Sequence, residues 1–315
     1  MKQLKTIVCL LLCLVLACSG IGVAAEGTSH SYVYDSWDNA MSVSEPYTST
    51  DFWEGEETYG GLPLNLPTDL FVTDEKDVYI LDDGNDRVVV MDETGKFLRE
   101  IRLRKDGQPL DFQAAQGLFV TADGTLYVAD KDARTVYVAT ADGDVTATVD
   151  APPADKVEDT FEYTPTSVVV DTAGIIYVIS SSAYNGALQY NENYEYLGYY
   201  GSEQVTVTAE VLIRQLWKNI LSDEAAAGLK RNVPTSIIRM DIDSQNFIYT
   251  LKGGDGSGTG QVRRLNTLGG NILYDDNGEP GMFGDQDTYF DSVNNVTVTS
   301  SLVDLVADDD GFVTV

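Results

Sequence analysis

The sequence predicts an all-β protein: a β-propeller of four-stranded blades with one short helical insertion. Three observations predict it. A unit of short apolar runs recurs at a nearly fixed interval, turns bearing Asp, Asn and Gly separate those runs, and a tyrosine marks the same strand in successive copies. The anchor tyrosines Tyr79, Tyr127, Tyr177 and Tyr249 lie 48, 50 and 72 residues apart, and the longest gap implies an insertion.

The amino terminus reads as an address. Lys2 and Lys5 precede the apolar run from Ile7 to Ala17, and small residues follow up to Val23-Ala24-Ala25. That order is a secretory signal peptide over residues 1–25, too short and wrongly flanked for a spanning helix. Two processing routes are open. Cleavage after Ala25 gives a secreted, extracellular chain, whereas lipoprotein processing ahead of Cys18 gives a lipid anchor and attachment to the cell surface. Cys9, Cys13 and Cys18 are the only cysteines, so no disulfide can staple the body and its stability must come from a packed core.

Removing the signal takes two of the 20 basic residues and none of the 50 acidic ones, so the net charge moves from −30 to −32. Such a surplus repels a phosphate backbone and excludes nucleic acid as a partner. His30, the single histidine, lies outside any repeated unit, so multi-histidine metal sites and a folded Ser-His-Asp triad have almost nothing to be built from. No later segment is apolar enough to span a bilayer.

Residues 26–60 form an extension in which Tyr32 to Ala40 is a candidate ring-closing strand. The repeats fill 61–315, with units near 67–105, 115–150, 165–201, 234–275 and 302–315. In the first, Leu70-Phe71-Val72, Val78-Tyr79-Ile80-Leu81, Val88-Val89-Val90 and Phe97 to Ile101 are the four strands. β-Branched runs joined by Asp-Gly or Asn-bearing turns are hairpin signals. The insert occupies 208–230. From Thr208 to Leu221 the pairs Leu212/Ile213, Leu216/Trp217 and Ile220/Leu221 recur every four residues, which predicts an amphipathic helix. Ser222 is placed to N-cap a second, shorter helix. The pair would serve as a lid over strand edges or as a docking surface for a partner.

The stretches Val78-Tyr79-Ile80-Leu81-Asp82, Asn85-Asp86-Arg87-Val88-Val89-Val90 and Leu126-Tyr127-Val128-Ala129-Asp130 resemble NHL repeats. From Ser31 onward the chain is also similar to secreted bacterial NHL-repeat proteins, often labelled gluconolactonase-like and encoded near sugar ABC transporters. That likeness rests on Ser31 to Trp37, on Val233-Pro234-Thr235 with Asp241-Ile242-Asp243, and on Val262-Arg263-Arg264-Leu265-Asn266. The resemblance implies a six-bladed ring. Against that count the chain stops early in its fifth unit, as a fragment or as a shorter ring closed by the amino-terminal segment. The second unit carries Lys131-Asp132-Ala133-Arg134-Thr135 where the repeat has an Asn and then an Arg, which puts the bracing of that loop in doubt.

Asp82, Asn85 and Arg87 read as turn bracing, since Asp and Asn bond backbone amides and the arginine can pair with the aspartate. Asp308-Asp309-Asp310-Gly311 lacks the alternating spacing of a calcium loop and reads as a hairpin turn. The glycine-rich run 253–260 has no following helix to hold phosphate and reads as a loop. Tyr184, Tyr190, Tyr194, Tyr196, Tyr199 and Tyr200 crowd the third unit, while Tyr47, Phe52, Trp53 and Tyr59 lie before the first. Aromatic faces beside carboxylates stack on sugar rings, and tyrosine also simply packs well on a strand. Tyr184, Tyr190, Tyr196 and Trp53 are therefore the candidate ligand contacts, with no catalytic and no metal-binding residues assigned and no cofactor expected. The function expected is a binding or scaffold module, for saccharides or for a component of a sugar transport system. The alternatives are a gluconolactonase-like hydrolase or lyase holding calcium in a carboxylate-lined central channel, as the resemblance implies, and a fragment without activity of its own.

Overall fold

A computed structural model of the chain describes residues 32–34, 40–42, 52–53, 59–201, 236–252, 261–273, 288–291, 296–299, 303–307 and 313–314. It divides into two compact units, Met1–Trp53 and Glu54–Val315. In the first, the segment expected to supply a closing strand forms a hairpin of its own, β1 (Tyr32–Tyr34) pairing antiparallel with β2 (Ala40–Ser42).

The second unit is a succession of antiparallel sheets. The first blade has the order β3 (Pro67–Val72), β4 (Val78–Asp82), β5 (Arg87–Met91), β6 (Phe97–Ile101). A small hairpin, β7 (Arg104–Lys105) with β8 (Gln108–Pro109), leads to the second blade: β9 (Ala115–Val120), β10 (Leu126–Asp130), β11 (Thr135–Ala139), β12 (Val145–Val149). The third is β13 (Pro165–Val170), β14 (Ile176–Ser180), β15 (Ala187–Tyr190), β16 (Tyr196–Tyr200). The fourth shows β17 (Ile237–Ile242), β18 (Ile248–Lys252) and β19 (Gln261–Leu265). Two hairpins follow: β20 (Thr288–Asp291) with β21 (Val296–Thr299), and β22 (Val306–Ala307) with β23 (Val313–Thr314), the latter opening the fifth unit. The first strands lie side by side, β3 against β9, β9 against β13, β13 against β17 and β17 against β22. The chain is a β-propeller. The expected helical insert 208–230, the glycine-rich run 253–260 and the Asp308–Gly311 turn lie outside the described residues, as do Ala25, Cys18 and Tyr47.

One turn, seen eight times among the described residues, sets the strand spacing. At the first-to-second strand turn of the first blade, Thr73 N–H donates to Asp77 C=O and Lys76 N–H to Thr73 C=O. The same pair of bonds recurs at Thr121, Asp171 and Asp243, and at the third-to-fourth turns at Asp92, Thr140, Asn191 and Asn266. Each is a three-residue loop whose last residue takes positive φ, the type I turn with a bulge that suits twisted hairpins. Glycine fills that position in five of the eight; Lys76, Tyr194 and Asn246 adopt it in the others. At Gly143 it is obligatory, because a Cβ there would sit 2.4 Å from Arg102 C=O.

Core placement follows from blade stacking. Every residue of β4, β5, β10, β11 and β14 is buried, because both faces of a blade's middle strands are covered, whereas the outer strands β6 and β12 are fully buried only at their last residue. Phe71 and Phe119 meet edge to face across the seam between blades one and two, with ring centroids 4.9 Å apart. Gly117 keeps β9 close to β13, since a Cβ would come within 2.8 Å of Ser167 Cα.

Candidate functional site

Asp82, Asn85 and Arg87 form the bracing expected of them. Asp82 and Arg87 are fully buried, with Arg87 Nε donating to Asp82 Oδ2 at 2.7 Å and Asn85 Nδ2 to the same oxygen at 2.8 Å. Arg87 also donates to Glu100 and to the carbonyls of Tyr59 and Leu62, while Asn65 N–H donates to Asp82 Oδ1, so the segment before the first blade is strapped to it. The second blade has Thr135 opposite Asp130 where the first has Arg87 opposite Asp82. Its bracing, in doubt from the sequence, is made by the backbone: Asp130 accepts from Gln113, Ala114 and Ala133 N–H. In the third blade Ser180 Oγ accepts from Thr164 N–H. These groups are consumed by the fold.

A different arrangement lies on the outer strand of the third blade. On a regular strand Tyr196 and Tyr199, three apart, would face opposite sides. The register of β16 shifts between its pairings with Gln189 and Tyr190, so an extra residue intervenes and both tyrosines come to one side, rings 6.2 Å apart at 85°. The connection between blades two and three brings Glu158 to this group. Tyr199 Oη donates to Glu158 Oε2 at 2.9 Å, and Asn185 Nδ2 donates to Glu158 Oε1. Burial, then the hydrogen bond and charge of Glu158, push the Tyr199 phenol well up; burial followed by the Glu158 charge pushes Tyr196 up. Tyr196 Oη is buried without a hydrogen-bond partner. Tyr184, beside Asn185, is 52% exposed.

The other candidate contacts stand differently. Tyr190 is 1% exposed, donates its hydroxyl to Asp150 C=O at 3.0 Å and meets Tyr196 edge to face at 5.6 Å. It is the floor beneath Tyr196 and offers no face to a ligand. Tyr200 packs on Tyr177 and donates to Asn266 C=O. Trp53 belongs to the amino-terminal unit and is half-buried there. Glu158 and Asn185 were not among the residues singled out in the sequence; the only signal for them is their place in loops flanking a tyrosine-rich strand.

A second set of charged groups lies on the first strands. Asp69 Oδ1 accepts from Leu70 N–H at 2.9 Å and Oδ2 from Leu118 N–H at 2.7 Å, across the seam to blade two. Burial outweighs those two donors, and with the charge of Asp304 it pushes the Asp69 carboxyl up to about 6. Asp241 accepts from Ile242 and Ala307 N–H and is likewise raised, chiefly by burial. Arg239 Nε lies 3.5 Å from Asp304 Oδ1. Among the described residues no group of three or more His, Cys, Asp or Glu side chains is placed to hold a metal ion.

No protein-family model and no curated protein matches the chain. Solved structures similar to it include virginiamycin B lyase from Staphylococcus aureus (9% identity, covering 87% of this chain and 80% of that one, TM-score 0.42), a gluconolactonase-like protein (12%, 77% and 69%, 0.44) and the WD40 propeller domain of Doa1 (11%, 78% and 58%, 0.41). The fold assignment rests on the blades themselves. Among the described residues no helix is long and apolar enough to cross a membrane.

Proposed function

We propose that this propeller is an exported binding module whose ligand surface is the outer face of the third blade, and that its ligand is a saccharide. The observation that carries the reading is the grouping of Tyr196 and Tyr199 by the β16 bulge beside Glu158 and Asn185, with Tyr184 exposed at the margin. A sugar ring offers apolar C–H faces and a rim of hydroxyls. Tyrosine faces suit the first, and the carboxylate of Glu158 and the amide of Asn185 suit the second. A component of a sugar transport system is the partner class such a module would serve. Calorimetric titration with neutral oligosaccharides, backed by a glycan array, tests it: saturable binding weakened at least tenfold in Tyr184→Ala and Glu158→Gln supports the reading, and no saccharide affinity sinks it.

One observation favours a second reading. A carboxyl near 6 on a first strand suits general acid or base work, as in a hydrolase or lyase. Lactone hydrolysis that disappears in Asp69→Asn while the third-blade variants retain it would put this reading ahead.

A further inference from the structure

The sheet registers place five residues at one level of the first strands. Asp69 is paired with Leu81, Gly117 with Ala129, Ser167 with Ile179 and Arg239 with Leu251. Asp304 stands three residues before Ala307 as Asp69 stands three before Val72, and Ala307 pairs with Val313 as Val72 pairs with Val78. The level therefore reads Asp, Gly, Ser, Arg, Asp, so one guanidinium serves two carboxylates. Arg239 is nearer its partner Asp304, while the charges of Asp304 and Arg239 act on Asp69 in opposite senses.

We infer that Asp69, Arg239 and Asp304 form a proton-binding site on the first strands, in which Asp69 takes the proton and couples it to the seam between blades one and two. The coupling is geometric. Asp69 is the group that accepts Leu118 N–H across that seam, at a level where the second and third blades carry only Gly117 and Ser167. Other carboxylates packed nearby are accounted for: Asp82 is neutralised by Arg87, Asp83 accepts Ala115 N–H, and Asp241 accepts Ile242 and Ala307 N–H with Asp304 and Asp243 facing it. The sign follows from a folded-state carboxyl raised from 3.8 to about 6. Its contribution to stability is fully present below the unfolded value and is lost as pH rises through about 6. The inference is independent of the saccharide reading, because it concerns the folded state and not ligand affinity; it shares Asp69 with the hydrolase reading, which lactone turnover tests separately.

The test follows the Leu118 amide of the intact chain by NMR between pH 4 and 8, together with the thermal midpoint. A titration of that amide centred near pH 6 is expected, with a lower midpoint in Asp304→Asn, a higher one in Arg239→Gln and none in Asp69→Ser. The thermal midpoint should fall between pH 5 and 7, and by less in Asp69→Ser than in the parent. Asp304 and Arg239 are partly exposed, so their variants keep the test intact if Asp69→Ser does not fold. A midpoint near 4, or one unmoved or moved the same way by both charge variants, overturns the inference.

Discussion

Arg87→Met would remove the cation from the strap that ties the chain before the first repeat to blade one. Deleting one member of a buried ion pair leaves the other charged and unpaired, a loss of about 3–5 kcal/mol in stability. Asp82 retains the Asn65 amide and the Asn85 side chain as donors, which favours the lower end of that range. Two further acceptors, the carbonyls of Tyr59 and Leu62, lose their donor, and each adds up to about 1 kcal/mol where solvent cannot replace it. The sum is about 4 kcal/mol, read as the change in unfolding free energy by urea titration at constant slope. Hydrogen exchange at the Asn65 and Gly84 amides should accelerate, because both bonds belong to the strap. Adding Asp82→Asn removes the stranded charge while keeping an acceptor for Asn65, so the double variant should be more stable than Arg87→Met alone. A loss under about 1 kcal/mol, or a double variant as damaged as the sum of its singles, would refute the reasoning.

Phe119→Ala, which empties one side of the edge-to-face contact with Phe71, should cost about 3–4 kcal/mol by the same titration. Gly143→Ala forces a Cβ against Arg102 C=O at a positive φ and should cost about 2 kcal/mol or more, whereas Gly61→Ala, at a similar φ with open space around it, should cost about 1; equal losses would deny the close approach. Glu158→Gln should bring the Tyr199 phenol down toward its ordinary value, seen as a tyrosinate absorbance step at lower pH, and an unchanged alkaline titration would place Glu158 elsewhere. Tyr199→Phe should change stability by less than about 1 kcal/mol, since the bond it deletes is solvent-exposed, while weakening saccharide binding.

The blades were legible in the sequence because each strand carries its own signal. Val88-Val89-Val90 and Val136-Tyr137-Val138 read as continuous apolar runs, and both blade faces are indeed covered there. The turns were legible where Gly, or Asn246, marks the positive-φ position, and less so at Lys76 and Tyr194, where the strand pairing imposes that conformation on residues that resist it. Bracing by Asp82 and Arg87 was visible as a pair five residues apart. The bracing of Asp130 was not, because its donors are backbone amides and an amide has no letter in the sequence.

The candidate sites were hidden for a related reason. Period-two alternation puts Tyr196 and Tyr199 on opposite faces, and only the register shift in β16 reverses that; the one hint of it in Tyr-Leu-Gly-Tyr-Tyr is Gly198, an in-strand glycine at the bulge that takes positive φ. Asp69 and Asp304 each look like an acidic residue opening an apolar strand, and their kinship with Arg239 emerges only when strand registers align the units. A repeat protein spends most of its sequence on making the blades alike, so the positions where equivalent residues differ in charge or carry an extra residue are where physical demands other than stacking must be sought. The outer-strand bulge itself recurs in β6, β12 and β16, so what sets the third blade apart is the pair it groups, Tyr196 and Tyr199 where the first two blades have Phe97 with Glu100 and Val145 with Thr148; the other departure is the change of charge at the level of Asp69, Arg239 and Asp304. The two departures make separable demands. A ligand that needs Tyr184 and Glu158 should bind with the same affinity in Asp304→Asn, and a proton site on the first strands should titrate unchanged in Glu158→Gln.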